Sequence, residues 1–285
     1  MIQEVDSRGA LVEALQAPRY EVIPLKGIEE QVFEHVPGEV KLTVTASPSK
    51  GLDPTLRVAG LLSQQGYRAV PHLSARLVSD ERHLEEILHQ LSETGIREAF
   101  VVAGDRDEPV GKFAGAKDLL RAMAEIGHGL EEVGITGYPE SHPLISDDAT
   151  IQAMHEKAPY ATYVVSQMCF TPQVIVNWIH HIRDRGVGLP VEIGMPGSVD
   201  RLKLLRISGS IGLGESARFL KKHHNRLLRL FLPGGYDPDH LVEGVMPTLA
   251  DPQSKIRGFH IYTFNEVDKT EAWRRHELDR LGAKA

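Results

Sequence analysis

Residues 98–109 read EAFVVAGDRDEP, and this stretch decides the fold because a short apolar run leads into a glycine and then three acids. The segment before it, DERHLEEILHQLSETG (80–95), places aliphatic residues at helical spacing and ends at a glycine. The apolar run does not alternate with polar residues, as expected of a parallel strand that is buried on both faces. The two segments together therefore predict a helix followed by a parallel strand.

The same unit recurs along the chain. The other apolar runs are YEVIPL (20–25), VKLTVT (40–45), YRAVPHL (67–73), EVGITGY (132–138), ATYVVSQ (161–167), PVEIGM (190–195) and FHIYTF (259–264). Eight strands that alternate with helices, without a linker, predict an α/β fold: a single (β/α)8 TIM barrel formed by residues 1–285. Extra helices at 215–232 and 237–250 are expected before the last strand. The alternative is a doubly wound open sheet, but the GxGxxG motif of a Rossmann nucleotide site does not follow the first strand.

Composition and charge exclude several classes of protein. Lys and Arg total 32 against 39 Asp and Glu, and the net charge of −7 disfavours a nucleic acid or an anionic membrane as a partner. The single cysteine, Cys169, excludes an internal disulfide and a CxxC metal site, so no metal is expected. No stretch approaches the ~18–20 apolar residues of a membrane span. We therefore expect a soluble, cytoplasmic protein; homo-oligomerisation is left open.

Polar side chains are expected at the mouth of the barrel, where barrel enzymes place their chemistry at the carboxyl ends of strands. These residues, each at or just beyond the end of a different run, are Thr45, His72, Asp105, Tyr138, Gln167 and Asn265. The loop GYPESHP (137–143) adds His142 at the same end. Glu21 differs from all of them because it lies inside the first apolar run.

Each of these residues also has a purely structural interpretation. Asp105 could cap the following helix, and His72 could be a core histidine bonded to a backbone carbonyl. Thr45 and Gln167, taken singly, are more often structural. Glu21 is harder to explain in this way, because burial of a carboxylate without a partner or a role costs several kcal/mol.

In their order along the chain, these motifs resemble those of the methylenetetrahydrofolate reductase family. YEVIP is similar to the family's E-F-F-P, VPHLSAR to A-P-H-L-T, and VVAGDRDEP to L-R-G-D-x-P-P. TVTASPSKG, GYPESHP, YVVSQMCF and GFHIYTFN are similar to V-T-Y-G, Y-P-E-x-H-P, I-T-Q-F-F-F and F-H-F-Y-T-L-N. The resemblance extends over residues 20–267, and it implies the same (β/α)8 barrel.

The resemblance also implies an activity and roles for residues. In this family a reduced flavin passes hydride to 5,10-methylenetetrahydrofolate and gives 5-methyltetrahydrofolate. Glu21 matches the general acid that helps to open the imidazolidine ring, and Asp105 matches an aspartate beside the cofactor and the pterin. Gln167 matches a glutamine that contacts folate. Thr45, His72, Tyr138 and His142 match flavin-contacting positions of the family.

Departures from the family pattern concern the flavin. The arginine of L-R-G-D is Ala103 here, and the Asn-x-x-Arg-Lys cluster that holds the flavin diphosphate aligns with Gln152, His155 and Glu156. A diphosphate needs cations or backbone donors, and Glu156 would repel it. In the last motif, Glu266 replaces an arginine that contacts substrate.

These departures favour a flavin-independent reductase in which NADH or NADPH delivers hydride directly to the folate. One alternative is an FAD-dependent methylenetetrahydrofolate reductase, with backbone amides and Lys157 in place of the lost side chains. The other alternative is a non-catalytic folate-binding paralogue, in which Glu21 would be structural.

Overall fold

A computed structural model of the protein describes residues 6–141, 145–199 and 238–284. Eight parallel strands close into a barrel in sequence order, and the last strand pairs with the first. The strands are Arg19–Val22 (β1), Lys41–Val44 (β2), Ala69–Ser74 (β3), Glu98–Val102 (β4), Glu132–Gly137 (β5), Tyr163–Ser166 (β6), Val191–Pro196 (β7) and Ile256–Tyr262 (β8). The predicted (β/α)8 barrel is confirmed, and the open-sheet alternative is wrong because β8 closes on β1.

Helices cover the outside of the barrel. Those in the described part of the chain are Ser7–Gln16 (α1), Ile28–His35 (α2), Asp53–Gln64 (α3), Glu81–Glu93 (α4), Ala116–Ile126 (α5), Asp147–Lys157 (α6), Pro172–Asp184 (α7), Pro238–Leu249 (α8) and Val267–Arg280 (α9). Helix α4 illustrates the local causes. The Asp80 side chain accepts the amide hydrogen of His83 at 2.9 Å, and the buried face presents Leu84, Ile87, Leu88 and Leu91.

The structure describes one of the two extra helices that were expected before β8. Helix α8 corresponds to the expected segment 237–250, and it packs against α7 and α1. The expected helix at 215–232 lies outside the described residues, and so does His142. That residues 1–285 form one domain stays a prediction. Among the described helices, none is both long enough and apolar enough to cross a bilayer.

Two apolar clusters separate the outside of the barrel from its interior. The larger cluster lies between the strands and the helices, and it includes Val164 and Ile193. A small second cluster lies inside the barrel, because alternate residues of a strand point to opposite faces. Its members are Val70, Phe100, Tyr163 and Val165, with Val102 packed against them.

Below this cluster, at the starts of the strands, lies an ion-pair layer. It consists of Arg19, Lys41, Glu98, Glu132, Glu192 and Arg257. The guanidinium groups of Arg19 and Arg257 both lie over the Tyr163 ring, with their central carbons 4.4 and 4.8 Å from the ring centroid. Gly134 on the neighbouring strand makes room for this ring, because a Cβ there would clash with it.

Candidate functional site

The Glu21 carboxyl group lies inside the barrel, two residues after Arg19 on β1. Its side chain keeps 14 % of its surface exposed, so it is enclosed but reachable. Oε2 lies 3.0 Å from Nε2 of His260 and 3.5 Å from Nε2 of His72. Burial raises the pKa of the Glu21 carboxyl to about 7, against a smaller opposing effect of His72. The group can therefore hold a proton near neutral pH.

The two histidines beside Glu21 are neutral partners, not cations. Burial lowers the pKa of His72 to about 4. Burial also lowers the pKa of His260 to about 3, and the charge on Arg19 adds to the effect. The His72 ring meets Phe100 edge-on, with 4.8 Å between their centroids. Near pH 7 neither imidazole is charged, and neither therefore draws the proton away from Glu21.

His72 lies inside β3, as the fourth of its six residues, whereas we expected it at or just beyond the end of the strand. The interpretation as a core histidine bonded to a backbone carbonyl is wrong, because within the described residues Nε2 has no hydrogen-bond partner. That nitrogen faces the Glu21 carboxylate instead.

Gln167 follows β6 directly and joins the same site through Tyr262. Its Oε1 accepts hydrogen bonds from the Tyr262 hydroxyl at 3.2 Å and from the Met168 amide at 3.2 Å. The Tyr262 ring packs edge-on against His260, with 4.9 Å between centroids. Glu21, His260, Tyr262 and Gln167 therefore form one continuous set of side chains. In the described part of the chain no hydrogen bond uses the Gln167 amide nitrogen, so its two N–H groups can serve a ligand.

The remaining expected residues stand around the mouth. Thr45 follows β2 and is half-buried, and Tyr138 follows β5 and is half-buried. Asp105 lies on the exposed loop after β4. It does not cap α5, because that helix begins at Ala116 and has Gly115 at its N-cap. The interpretation of Asp105 as a helix cap is therefore wrong.

Asn265 has a structural role at the mouth of the barrel. Its Oδ1 accepts the amide hydrogen of Ile23 at 2.8 Å, and its Nδ2 donates to the Ile23 carbonyl at 2.9 Å. Thr263 adds a hydroxyl donor to the Glu21 carbonyl at 2.6 Å. These bonds join the loop after β8 to β1, so they hold the backbone that carries Glu21.

The positions that depart from the family pattern have partners of their own. Glu156 on α6 accepts hydrogen bonds from Lys117 at 3.0 Å and from Gln152 at 3.1 Å. His155 Nε2 is 3.0 Å from the Arg185 carbonyl oxygen. Glu266 is buried and pairs with Lys269 at 2.8 Å. Lys157 is buried as well, and burial lowers its pKa to about 8.

Sequence reasoning missed His260. The run FHIYTF suggested only a buried strand, yet His260 is fully enclosed and lies next to Glu21. A single polar residue in an apolar run was the available signal, and it is the signal that singled out Glu21. No group of three or more His, Cys, Asp or Glu side chains within the described ranges is arranged to hold a metal ion.

Comparison with known proteins identifies the family. The family model described as methylenetetrahydrofolate reductase matches residues 28–199. The chain belongs to the methylenetetrahydrofolate reductase family. Glu21 and His260 flank the matched range, so their assignment depends on the structure and on the strand motifs.

Three curated relatives are yeast proteins of low identity. Methylenetetrahydrofolate reductase 2 of Schizosaccharomyces pombe is 23% identical over 219 aligned positions, and the match covers 68% of this chain and 33% of that protein. Methylenetetrahydrofolate reductase 1 of the same yeast is 27% identical over 132 aligned positions, with 44% of this chain and 22% of that protein covered. Methylenetetrahydrofolate reductase 2 of Saccharomyces cerevisiae is 26% identical over 123 aligned positions, with 39% of this chain and 20% of that protein covered. The chain thus spans no more than a third of the length of these relatives.

Proposed function

We propose that this protein reduces 5,10-methylenetetrahydrofolate to 5-methyltetrahydrofolate, with NADH or NADPH as the direct hydride donor and without flavin. The observation that carries the proposal is the Glu21 carboxyl group, enclosed by two neutral histidines and with a pKa of about 7. An acid of that strength is half-protonated at neutral pH, which is the condition for efficient general acid catalysis.

The reaction begins with a proton transfer from Glu21 to N10 of the substrate. The O–H bond of the acid breaks, an N10–H bond forms, and the bond from the methylene carbon to N10 opens to leave an iminium ion at N5. When bound, NADH or NADPH would supply the hydride that reduces this carbon to a methyl group, and it would leave as NAD⁺ or NADP⁺. The Glu21 carboxylate then regains a proton from solvent, so one proton and one hydride are consumed in each turnover.

Other residues of the mouth bind and stabilise the substrate in this proposal. Gln167 directs its amide N–H groups at the pterin, and Tyr262 fixes the orientation of that amide. Asp105, with its carboxylate on the loop after β4, stabilises the developing iminium charge. Thr45, His72, Tyr138 and His142 are the residues that would hold the hydride donor. The position of Thr45 and Tyr138 directly after their strands supports this assignment.

The side chains at the positions that differ from the family pattern do not fit a flavin diphosphate. Ala103 offers no charge, Glu156 is an anion engaged by Lys117, and the burial of Lys157 keeps its ammonium from replacing the lost cations. A charge-assisted hydrogen bond contributes about 1.5–3 kcal/mol, so the loss of two or three weakens a flavin site by roughly two to six orders of magnitude. NADH or NADPH must dissociate after each turnover, so its site can be much weaker.

The test uses the purified chain and its visible spectrum. We expect colourless protein that oxidises NADH or NADPH only when 5,10-methylenetetrahydrofolate is present, at a rate that added FAD does not change. Yellow protein with stoichiometric FAD, or activity that requires added flavin, would establish the FAD-dependent alternative. Folate binding without any oxidation of NADH or NADPH, with or without flavin, would establish the non-catalytic paralogue.

A further inference from the structure

The two histidines beside Glu21 both approach the same carboxylate oxygen. His260 Nε2 lies 3.0 Å from Oε2, and His72 Nε2 lies 3.5 Å from Oε2. Among the described residues no hydrogen bond reaches Oε1. The two oxygens of Glu21 are therefore not equivalent: Oε2 is held by the protein, and Oε1 is left for a ligand.

We propose that His260 is a positioning residue, which donates its Nε2–H to Oε2 and thereby keeps the acidic proton of Glu21 on Oε1. The proposal rests on the proposed function, in which Glu21 gives that proton to the substrate. It assigns to His260 a role in directing the acid, without contact between His260 and the substrate.

The assignment of the Nε2–H tautomer follows from the other ring nitrogen. His260 is fully buried, and within the described residues Nδ1 has no hydrogen-bond partner. A neutral imidazole carries one N–H donor and one acceptor nitrogen. A buried donor without a partner is rarer than a buried acceptor without one. The hydrogen therefore belongs on Nε2, where the Glu21 carboxyl group accepts it.

The location of the acidic proton is a consequence of this donor. If Oε2 carried the proton of the neutral acid, two hydrogens would face each other across 3.0 Å. With the proton on Oε1, Oε2 accepts one hydrogen bond and Oε1 donates toward the open side. After the transfer, the carboxylate keeps the same bond from Nε2–H, so no rearrangement of His260 accompanies the step.

Burial, reinforced by the charge of Arg19, keeps His260 a neutral donor. Arg19 is its register partner on β1, and its positive charge opposes a second proton on the ring, whereas Glu192 and Glu98 act in the opposite direction more weakly. From β8 itself the Tyr262 ring covers one side. The ion-pair layer therefore lies directly beneath the pair of Glu21 and His260, and on β3 only His72 faces the carboxyl group with a titratable side chain.

The experiment compares four variants with the wild-type chain. His260→Leu removes the donor at similar volume, and His260→Gln restores an amide donor. His72→Leu is the matched comparison, since its nitrogen approaches the same oxygen without a hydrogen bond. His89→Leu, on the outer face of α4 with 73% of its side chain exposed, is the surface control.

Two readouts are used. The first is the pH profile of kcat, and the second is the carbon-13 NMR titration of the labelled Glu21 carboxyl, assigned by its absence in Glu21→Gln. In His260→Leu we expect kcat to fall about ten- to a hundredfold. The titration midpoint should rise by about one pH unit, because the donor that stabilises the carboxylate is gone. His260→Gln should recover most of both effects, His72→Leu should shift the midpoint less, and His89→Leu should shift nothing.

The outcomes separate the two proposals. If the wild-type chain does not reduce the folate, the proposed function fails, while the titration still tests the bond between His260 and Glu21. If the chain is active but His260→Leu titrates like wild type, the role of His260 is overturned. Should His260→Leu not fold, nitrogen-15 NMR of the wild-type imidazole decides: hydrogen on Nε2 supports the role, and hydrogen on Nδ1 overturns it.

Discussion

Two levels of the same barrel interior hold glutamates in opposite electrostatic states. In the ion-pair layer, Glu132 accepts hydrogen bonds from Arg257 at 2.8 Å and from Lys41 at 2.9 Å. Partial burial alone would raise the pKa of Glu132, but these hydrogen bonds hold it well below its usual range. Glu21 faces two neutral imidazoles, and burial raises its pKa to about 7.

The difference teaches that burial and partners together decide what a carboxyl group inside the barrel can do, because burial raises its pKa and a bonded cation lowers it. Arg19 and Glu21 are only two residues apart on β1, and both side chains point inward. Three cations neutralise three carboxylates in the ion-pair layer, which therefore stays ionised and contributes rigidity. One level higher, no cation among the described residues touches Glu21, so its proton is available for transfer.

The sharpest test of this contrast is Glu21→Gln, which keeps the shape of the side chain and removes the acid. We expect turnover to fall roughly 10²–10⁴-fold, with folding and folate binding largely retained. Steady-state kinetics and a folate-binding titration would measure both effects. Near-wild-type turnover of this variant would remove Glu21 from the mechanism.

Arg19→Met tests the second level, the ion-pair layer. Arg19 is 2 % exposed, and it bonds to Glu98, to Glu192 at 3.0 Å and to the Tyr163 hydroxyl at 3.1 Å. Its loss leaves the three carboxylates of the layer with two cations, Lys41 and Arg257. One negative charge in a largely buried site is then uncompensated, so the free energy of unfolding should fall by about 3–5 kcal/mol. Urea denaturation measures this effect.

Arg257→Met is the matched control for Arg19→Met. Arg257 belongs to the same layer but is 28 % exposed, so water replaces its bonds and the loss should be about 1 kcal/mol. Equal losses in the two variants would mean that burial does not set the strength of the layer.

The strands of both levels were predictable from the sequence, but the ion-pair layer was not. Apolar runs marked all eight strands, and the residues after them, such as Thr45 and Gln167, were placed correctly at strand ends. The charges of the layer stand at the starts of the runs, where a charged residue is usually solvated. Only closure of the barrel brings Arg19 and Glu192 together across 173 residues of chain. His260 was missed for the same reason, because its inward direction depends on the register of β8 with β1.

The pH dependence of stability gives a third, smaller test. The folded chain holds a proton on Glu21 up to about pH 7, whereas the unfolded chain releases it near the model-peptide value of 4.5. The folded state therefore binds more protons in this window, and its stability falls as pH rises through it, by about 3 kcal/mol in total. His72 and His260 act oppositely, because their lowered pKa values reduce stability as pH falls below about 6.5.

The difference between wild type and Glu21→Gln isolates the Glu21 contribution. Both proteins would be denatured at pH 5 and at pH 8. The free energy of unfolding of the variant, relative to that of the wild type, should be higher at pH 8 than at pH 5. A constant difference across this range would mean that Glu21 titrates normally in the fold.

Asp105→Asn concerns a carboxylate outside both levels, and it should have the smallest effect. Asp105 is exposed on the loop after β4, where solvent and salt screen its charge. The contribution to the iminium intermediate should therefore be modest, and we expect turnover to fall about tenfold. Thermal stability should hardly change, because Asp105 does not cap α5, the helix that follows it. Asp107→Asn, two residues further along the same exposed loop, removes the same charge and should leave turnover unchanged. Steady-state kinetics at two salt concentrations would separate a specific contact from a general field effect. If both variants lose activity equally, and high salt abolishes the loss, then Asp105 acts only through the net charge of the loop.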